Sequence, residues 1–275
     1  MKKNHTEKHF KLTIKMEKGA EEFLPEEIYM HVKKGLWIEG HTDTSIIICY
    51  PDDLEPFLKI LKASGLKIKD LTIEEEEIPD YSEITKRYFK TITVCGVKIV
   101  PPWGKKIPKG SIVIDPGMAF GTGRHESTKI MIKLMQKIDF KDKDVLDMGC
   151  GSGILAIYAS MLGAKRVIAV DNDPDAVQSA KGNINLNKVE NISIVCADIN
   201  DIKGAFHVVL ANLDIRTFQK YKKHIKKLIK KDGLIVVSGI LKKEKEQVFK
   251  CFEDLKCTVE EGKNAWTGMV FRSVF

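Results

Sequence analysis

Three glycines at every second position mark the segment 147–153, which reads "DMGCGSG". The residues before it are apolar and those after it have the spacing of a buried helix, so the segment predicts a strand, a tight turn and a helix. Glycine in such a turn lets a ligand approach the backbone and the free N–H groups at the start of the helix. The spacing D-x-G-x-G-x-G differs from the G-x-G-x-x-G of dinucleotide sites and from the G-x-x-x-x-G-K-[ST] of P-loops. The turn therefore predicts a ligand site that does not cradle phosphates.

Acidic residues end the next two predicted strands. Asp171 lies 22 residues after Gly149, where a carboxylate can accept hydrogen bonds from both hydroxyls of a ribose. Asp198 ends the third strand in "VCAD" and can reach the edge of an adenine. A ligand with a ribose and a purine but no phosphate is S-adenosylmethionine, which we predict as the cofactor. The cofactor-binding candidates from these motifs are Asp147, Gly149, Gly151, Gly153, Asp171 and Asp198.

The elements that position these residues alternate between strand and helix from Val145 onward. Such alternation predicts an α/β fold, with a parallel sheet that is covered on both faces and binds its ligand beyond the carboxyl ends of its strands. The tail 256–275 has no helix signal and predicts two further strands, which gives a seven-stranded Rossmann-like sheet. The predicted strands span 144–149, 166–171, 192–197, 207–212 and 233–239, and the predicted helices span 153–162, 174–187, 216–231 and about 243–254.

A second pattern precedes this one. Over residues 1–75 the apolar residues alternate as in strands or recur at helical spacing, in the order β-α-β-β-α-β of a small ferredoxin-like α+β domain. The acidic run Glu74–Glu77 and then Pro79 break the pattern. We therefore predict a ferredoxin-like substrate-recognition domain at 1–75, a linker at 76–100 and the methyltransferase domain at 101–275.

Charge is distributed unevenly between the two parts. Residues 1–90 carry a net charge of −3 and the remainder +10, which together give the +7 of the 275-residue chain. Much of the basic excess lies in a predicted lysine-rich helix at 220–231, whose main interpretation is a solvated face and whose other interpretation is a weak contact with RNA. The six cysteines form no C-x-x-C pair, and we predict no metal site. The start "MKKNHTEKHF" has no apolar region and no run is long enough to span a bilayer, so we predict a cytoplasmic protein without a signal peptide or membrane contact.

Several longer motifs resemble those of the PrmA family, the methyltransferases of large-subunit ribosomal protein eleven. The matching segments include "DPGMAFGTGRHESTKIMIKLM", "VLDMGCGSGILAIYASMLGA", "AVDNDPDAVQSAKGNINLN", "VVLANL" and "LIVVSGIL". The resemblance implies the fold of a class I methyltransferase and the methylation of lysine ε-amines, of the N-terminal α-amine or of both in that basic ribosomal protein. We expect the enzyme to be a monomer. It implies cofactor contacts for Thr128, Gly149, Asp171 and Asn212. It also implies that Phe120, Thr122 and His125 lie near the transferred methyl group and that Trp266 lies beside the substrate amine.

The chemistry expected of such a site is the attack of a neutral amine on an activated methyl group. A lysine amine with a pKa near 10.4 is neutral in only about one molecule in 2,500 at pH 7. Desolvation lowers that pKa, and alignment reduces the remaining barrier. We expect the Asn212 side chain and the Leu213 backbone carbonyl to orient the amine, without a general base or a metal.

Other interpretations stay open on the sequence. His125 can be an ordinary loop residue, Asn212 a helix cap and Trp266 a core residue. A methyltransferase for another protein lysine or for a nucleic-acid base would share the sheet and the cofactor, although "ANLD" lacks the prolines and the stacking aromatic that base methyltransferases commonly have after the fourth strand. A ribosome-associated factor that binds the cofactor without turnover is a further alternative.

Overall fold

The chain folds into two compact units, Met1–Lys90 and Thr91–Phe275. The structure, a computed structural model, describes residues 9–32, 36–76, 86, 89–104, 106–116 and 122–274. Within these residues, no helix has both the length and the apolar character needed to cross a membrane.

The described residues 9–32 and 36–76 of the first unit form a four-stranded antiparallel sheet with two α-helices. Its strands lie in the order β2-β3-β1-β4, and its core contains Leu12, Ile14, Phe57 and Leu61. The strands are β1 (His9–Glu17), β2 (Leu36–Gly40), β3 (Thr44–Cys49) and β4 (Ile68–Glu76), and the helices are α1 (Glu26–Met30) and α2 (Leu54–Ala63).

The predicted element order of this unit is present, with one change in its first helix. The predicted order has one helix between the first two strands, but the structure has a 3-10 turn at Ala20–Phe23 and a separate α1 there. Pro25 stands between them and disfavours the helical conformation for the residue before it, Leu24, which has a ψ of 130°. The assignment of the unit as a ferredoxin-like recognition domain stays a prediction.

The second unit begins with a small three-stranded sheet. Its strands are β5 (Ile92–Val94), β6 (Val97–Val100) and β7 (Ile112–Val113), with β5 antiparallel and β7 parallel to β6. Residues 92–100 lie within the predicted linker, and the structure describes most of them as strands of the second unit. The division of the chain at residues 75 and 100 stays a prediction.

The larger sheet of this unit has seven strands in the order β10-β9-β8-β11-β12-β14-β13. Strand β14 runs antiparallel to its neighbours, whereas the pairs from β10 to β12 are parallel. The strands are β8 (Asp144–Met148), β9 (Arg166–Asp171), β10 (Ile192–Cys196), β11 (Phe206–Asn212), β12 (Ile229–Leu241), β13 (Lys256–Lys263) and β14 (Trp266–Arg272). The predicted strands and the two tail strands are thereby confirmed.

Helices cover the large sheet, and apolar residues of two clusters lie beneath them. The helices are α3 (Glu126–Met135), α4 (Ile154–Met161), α5 (Pro174–Asn187), α6 (Ile215–Lys227) and α7 (Lys245–Cys251). The predicted helix at 216–231 was too long, because α6 ends at Lys227 and Ile229 already pairs with Phe206 in the sheet. The lysine-rich face of the helix therefore stops at Lys227.

Candidate active site

The chain order reverses between the adjacent strands β8 and β11, whose carboxyl ends open at one edge of the large sheet. Gly149 directly follows β8, and Asn212 is the last residue of β11. Such a reversal leaves a crevice between the loops that leave the two strands, and open α/β sheets bind ligands there. The fold thus brings together the two motifs that the sequence marked for chemistry.

The glycine turn has a backbone that other residues rarely adopt. Gly149, Gly151 and Gly153 have φ values of 67°, 51° and 78°. A Cβ at Gly149 would lie 2.5 Å from Leu213 Cδ2, and one at Gly153 would lie 3.1 Å from the Cβ of Ala180. The glycines therefore serve both the turn conformation and close packing against the end of β11 and against α5.

Asp171, at the end of β9, is tied to the glycine turn. Its Oδ2 accepts a hydrogen bond from the backbone N–H of Gly151 at 2.9 Å, and its Oδ1 accepts one from the N–H of Asp173 at 3.1 Å. An ionised carboxylate has about four acceptor positions, so the side chain can still accept from a ligand.

Asp198 follows β10 and also has protein partners. It accepts hydrogen bonds from the Asn200 N–H at 2.9 Å and from the Tyr221 hydroxyl at 2.5 Å. The Tyr221 hydroxyl is the main cause that holds the pKa of Asp198 below its usual value. The side chain is half-buried and ionised at neutral pH.

Asp147, the first residue of the glycine motif, is fully buried within β8. Its Oδ2 accepts from the Ala156 N–H at 3.0 Å, while its Oδ1 has no hydrogen-bond partner among the described residues. Burial raises the pKa of this carboxyl to about 7. Asp147 braces the first turn of α4 from inside the core.

The amino end of α3 supplies a histidine, a threonine and a buried acid. His125 caps the helix, since its Nδ1 accepts from the Ser127 N–H at 3.3 Å and lies 2.7 Å from the Ser127 hydroxyl. Burial lowers the pKa of His125 to about 4, so the ring is neutral at pH 7. Because Nδ1 accepts, the ring proton resides on Nε2, and Nε2 is therefore a hydrogen-bond donor.

Trp266 packs against this histidine. The two ring centroids lie 4.5 Å apart at an interplanar angle of 75°, an edge-to-face arrangement. Trp266 is half-buried at the start of β14, and its buried Nε1 has no hydrogen-bond partner among the described residues. An indole N–H without an acceptor is unusual for a residue that serves packing alone.

A cleft at the switch point contains several of the candidate residues. It is lined by Thr128, Gly149, Cys150, Gly151, Ile154, Leu155 and Asn212. Thr128 is fully buried, and both its Oγ1 and the Oδ1 of Asn212 lack a hydrogen-bond partner within the described part of the chain. Buried polar atoms are generally hydrogen-bonded, so these two atoms indicate a ligand that supplies the missing partners. The Thr128 hydroxyl can donate or accept a hydrogen bond, and the Asn212 amide oxygen can accept one. Together with a glycine turn that leaves no room for a Cβ, they suit the polar and uncharged edges of a nucleoside.

Sequence reasoning missed Gly239, which lies in β12 with a φ of 85°. A Cβ there would lie 2.6 Å from the carbonyl oxygen of Leu213 and 2.8 Å from its nitrogen. The backbone of β12 therefore supports Leu213, whose N–H also donates to the Ser238 carbonyl at 3.1 Å. The segment "VVSGIL" carried only a weak signal, because a glycine within a strand often marks a close backbone approach.

The remaining predicted residues are only partly described. Thr122 is half-buried at the start of the segment before α3, and Phe120 lies outside the described residues. Asp214, after Leu213, caps α6 by accepting from the N–H groups of Arg216 and Thr217. Among the residues that the structure describes, no group of three or more His, Cys, Asp or Glu side chains could hold a metal ion.

The strand order, with β14 reversed against an otherwise parallel core, and the ligand cleft at the switch point define the fold of a class I methyltransferase. The model of one family, described as ribosomal protein L11 methyltransferase (PrmA), matches residues 9–273. The chain belongs to this family, and it is a methyltransferase.

Individual relatives agree with this assignment. The chain is 38% identical over 225 residues to the ribosomal protein L11 methyltransferase of Clostridium perfringens, which covers 79% of this chain and 70% of that protein. It is 37% identical over 202 residues to the protein of the same name from Thermoanaerobacter pseudethanolicus, over 70% of this chain and 65% of that one. Among solved structures, the ribosomal protein L11 methylase of Lactobacillus delbrueckii subsp. bulgaricus superposes with a TM-score of 0.63 at 27% identity, covering 67% of this chain and all of that one.

Proposed function

We propose that this chain uses S-adenosylmethionine to methylate amines of ribosomal protein L11, at lysine side chains, at the N-terminus or at both. The observation that carries the proposal is the pair of unpartnered buried atoms, Thr128 Oγ1 and Asn212 Oδ1, beside the glycine turn at the switch point. The names of the relatives supply the substrate.

The cofactor, when bound, supplies a methyl group already activated by a positively charged sulfur. On our proposal the chain holds it with Asp171 at the ribose, Asp198 at the adenine edge and the glycine turn beneath. Thr128 offers a buried hydroxyl to the cleft. Asp147 supports the turn from inside the core, because its Oδ2 accepts a hydrogen bond from the backbone of α4 next to the turn.

Asn212 and Leu213 orient the amine. The free Oδ1 of Asn212 accepts a hydrogen bond from the amine, and the Leu213 carbonyl accepts a second one. Two acceptors direct the nitrogen lone pair away from the protein and toward the methyl group. A neutral primary amine has two N–H donors, one for each of these acceptors. Transfer of the amine from water to the cleft also favours its neutral form.

His125 does not act as the base in this proposal. Burial holds its pKa at about 4, and its Nδ1 is already the acceptor for the cap of α3. The ring therefore cannot take up the amine proton at neutral pH. Its role is to form, with Trp266 and Thr122, the wall of the acceptor site.

The first unit is proposed to recognise the protein substrate. Residues 1–90 carry a net charge of −3, and ribosomal proteins are generally basic, so the two surfaces complement each other. Residues 1–75 would then be a ferredoxin-like recognition domain, 76–100 the linker and 101–275 the catalytic domain, in a monomeric cytoplasmic enzyme.

The direct test is incubation of the purified protein with S-adenosylmethionine labelled in its methyl group and with purified ribosomal protein L11, followed by peptide mass spectrometry. We expect the label on lysine ε-amines, on the N-terminal amine or on both. The Asn212→Ala variant is the control, because it removes the acceptor proposed for the amine and keeps Asp171, Asp198 and the glycine turn. Calorimetry with unlabelled cofactor, run in parallel, separates the absence of turnover from the absence of binding.

Two outcomes would contradict the proposal in different ways. Label in ribosomal RNA but not in protein would favour the base-methyltransferase alternative. Binding of the cofactor without transfer to any ribosomal component would favour a non-catalytic factor. Label on a different ribosomal protein would support the proposed chemistry and contradict the proposed substrate.

A weak RNA contact through α6 is a separate proposal. Exposed lysines Lys220, Lys223 and Lys227 lie on this helix, whereas Lys226 pairs with Asp254 at 2.8 Å. A contact with phosphates would weaken steeply with salt. Filter binding to ribosomal RNA at two salt concentrations tests it, and salt-independent binding would contradict it.

A further inference from the structure

A buried carboxylate beside the proposed acceptor site has no part in the chemistry described above. Glu126 is the first residue of α3 and only 6% exposed. Its Oε1 accepts from Lys129 Nζ at 2.5 Å, and its Oε2 lies 2.9 Å from Lys263 Nζ. Burial alone would raise the pKa of Glu126, but the two lysines outweigh it and hold the pKa below its usual value. The group is therefore a buried charge with a cation on each oxygen.

The two ion pairs differ in what they connect. Lys129 lies on the same helix as Glu126, three residues further on, so that pair is local. Lys263 is the last residue of β13, so its pair joins the start of α3 to the hairpin of β13 and β14. The Glu126–Lys263 pair thus connects two segments that are far apart in sequence.

These are the same two segments that carry the stacked rings. His125 directly precedes Glu126, and Trp266 lies directly across the hairpin from Lys263 in the strand register. The ring contact between His125 and Trp266 and the ion pair between Glu126 and Lys263 therefore lie side by side. A displacement of the hairpin from α3 would separate both.

We propose that Glu126 and Lys263 are positioning residues that hold Trp266 against His125 and so fix the wall of the acceptor-amine site. The inference rests on the proposed function for its catalytic consequence, although its structural part does not. Charge at the start of α3 makes the arrangement favourable, since an anion there also interacts well with the helix dipole. Glu126 is buried whereas Lys263 is exposed, so removing Lys263 takes one of two cations from a buried carboxylate and leaves its Oε2 without a charged partner.

The two lysines provide a matched comparison. Lys263→Met and Lys129→Met each remove one cation from the same carboxylate, and Lys129 contributes more than Lys263 to the lowered pKa of Glu126. The control variant therefore removes at least as much charge stabilisation as the test variant. Only the first removes the ion pair that joins the start of α3 to the hairpin. Lys133 of α3 and Lys137 just beyond it still pair with Glu261 of β13, so Lys263→Met tests the local contact beside the rings and not the whole attachment of the hairpin. Lys263→Arg restores a cation that can reach the same carboxylate.

The structural readout is the indole N–H signal of Trp266 in protein labelled with nitrogen-15 in its three tryptophans, assigned by its loss in Trp266→Phe. We expect this signal to shift or broaden in Lys263→Met, to stay in place in Lys129→Met and to return in Lys263→Arg. The nearby His125 ring makes the signal sensitive to the spacing of the two side chains. An unchanged signal in Lys263→Met, or equal changes in both methionine variants, would overturn the proposal.

The kinetic readout separates positioning from cofactor binding. For Lys263→Met we expect kcat on the protein substrate to fall at least tenfold, with cofactor Kd within threefold of the wild type. For Lys129→Met we expect both quantities to stay within threefold. If the wild type transfers no methyl to ribosomal protein L11, the proposed function fails, while the tryptophan signals still decide the positioning inference. Equal loss of kcat in both variants would overturn it.

Discussion

Replacement of Gly239 by alanine should damage the active site from a position that touches no ligand. The residue has a φ of 85°, and an added Cβ would meet the backbone oxygen and nitrogen of Leu213 at 2.6 and 2.8 Å. Backbone atoms cannot rotate away as the tip of a side chain can, so β11 or β12 must move. The register of β12 against β14 shifts between Val237 and Ile240, so Gly239 lies at a local irregularity in the pairing of these two strands.

The expected loss in the free energy of unfolding is the sum of two contributions. A left-handed backbone costs a residue with a Cβ about 1–2 kcal/mol. Overpacking of a close contact costs about 1–3 kcal/mol. The free energy of unfolding should therefore fall by about 2–5 kcal/mol. Since Leu213 is the residue whose backbone moves, turnover should also fall, by about 100-fold for a displacement near 1 Å.

The assay pairs urea unfolding, followed by circular dichroism, with methyl-transfer rates. Gly182→Ala is the control, because Gly182 is exposed within α5 and an added Cβ would meet nothing within 4 Å. That variant should be more stable by about 0.5–1 kcal/mol with unchanged turnover. If Gly239→Ala unfolds at the wild-type urea concentration and turns over normally, the argument from close backbone approach is refuted.

Other substitutions test the remaining roles. Asn212→Ala should leave cofactor affinity nearly unchanged and reduce single-turnover rates by about 100-fold, and normal turnover would move the orienting role elsewhere. Asp171→Ala should weaken calorimetric cofactor binding by about 1–3 kcal/mol, whereas unchanged affinity would exclude a ribose contact. The folded pKa of His125, about 4, lies below its unfolded value, so its unfolded state binds more protons between about pH 4 and 6.5. Wild-type stability relative to His125→Asn should fall as the pH drops through that window, and parallel pH profiles would contradict this.

Elements that depend on local pattern could be predicted from the sequence. Short buried runs of apolar residues predict strands β8, β9 and β11. The glycine turn and the acids directly follow or end these runs, so they mark the carboxyl ends of the strands, where the ligand is expected. The reversal between β8 and β11 followed from the fold class. Even the tail was predictable, because it offers no helical period and pairs as two strands.

The errors and omissions come from effects that a local pattern does not contain. Leu228 and Ile229 continue the apolar face of α6, and only their burial next to Phe206 shows that the chain has left the helix. Gly239 matters because of a backbone that lies 26 residues earlier in the chain. The Glu126–Lys263 pair joins residues 137 positions apart, and nothing in either segment alone indicates it.

The acceptor capacity of Asp171 has a consequence for how the site can change in evolution. Two of its roughly four lone-pair positions are taken by the amides of Gly151 and Asp173, and two remain, which is the number that the neighbouring hydroxyls of a ribose require. Asparagine would offer a single acceptor oxygen and would turn an N–H₂ group toward one of those amides. Glutamate would carry its oxygens one methylene further out and would release the turn. On the proposed function the aspartate serves both folding and binding, so a change of ligand specificity would require fewer compensating changes at the rim of the cleft than at this residue.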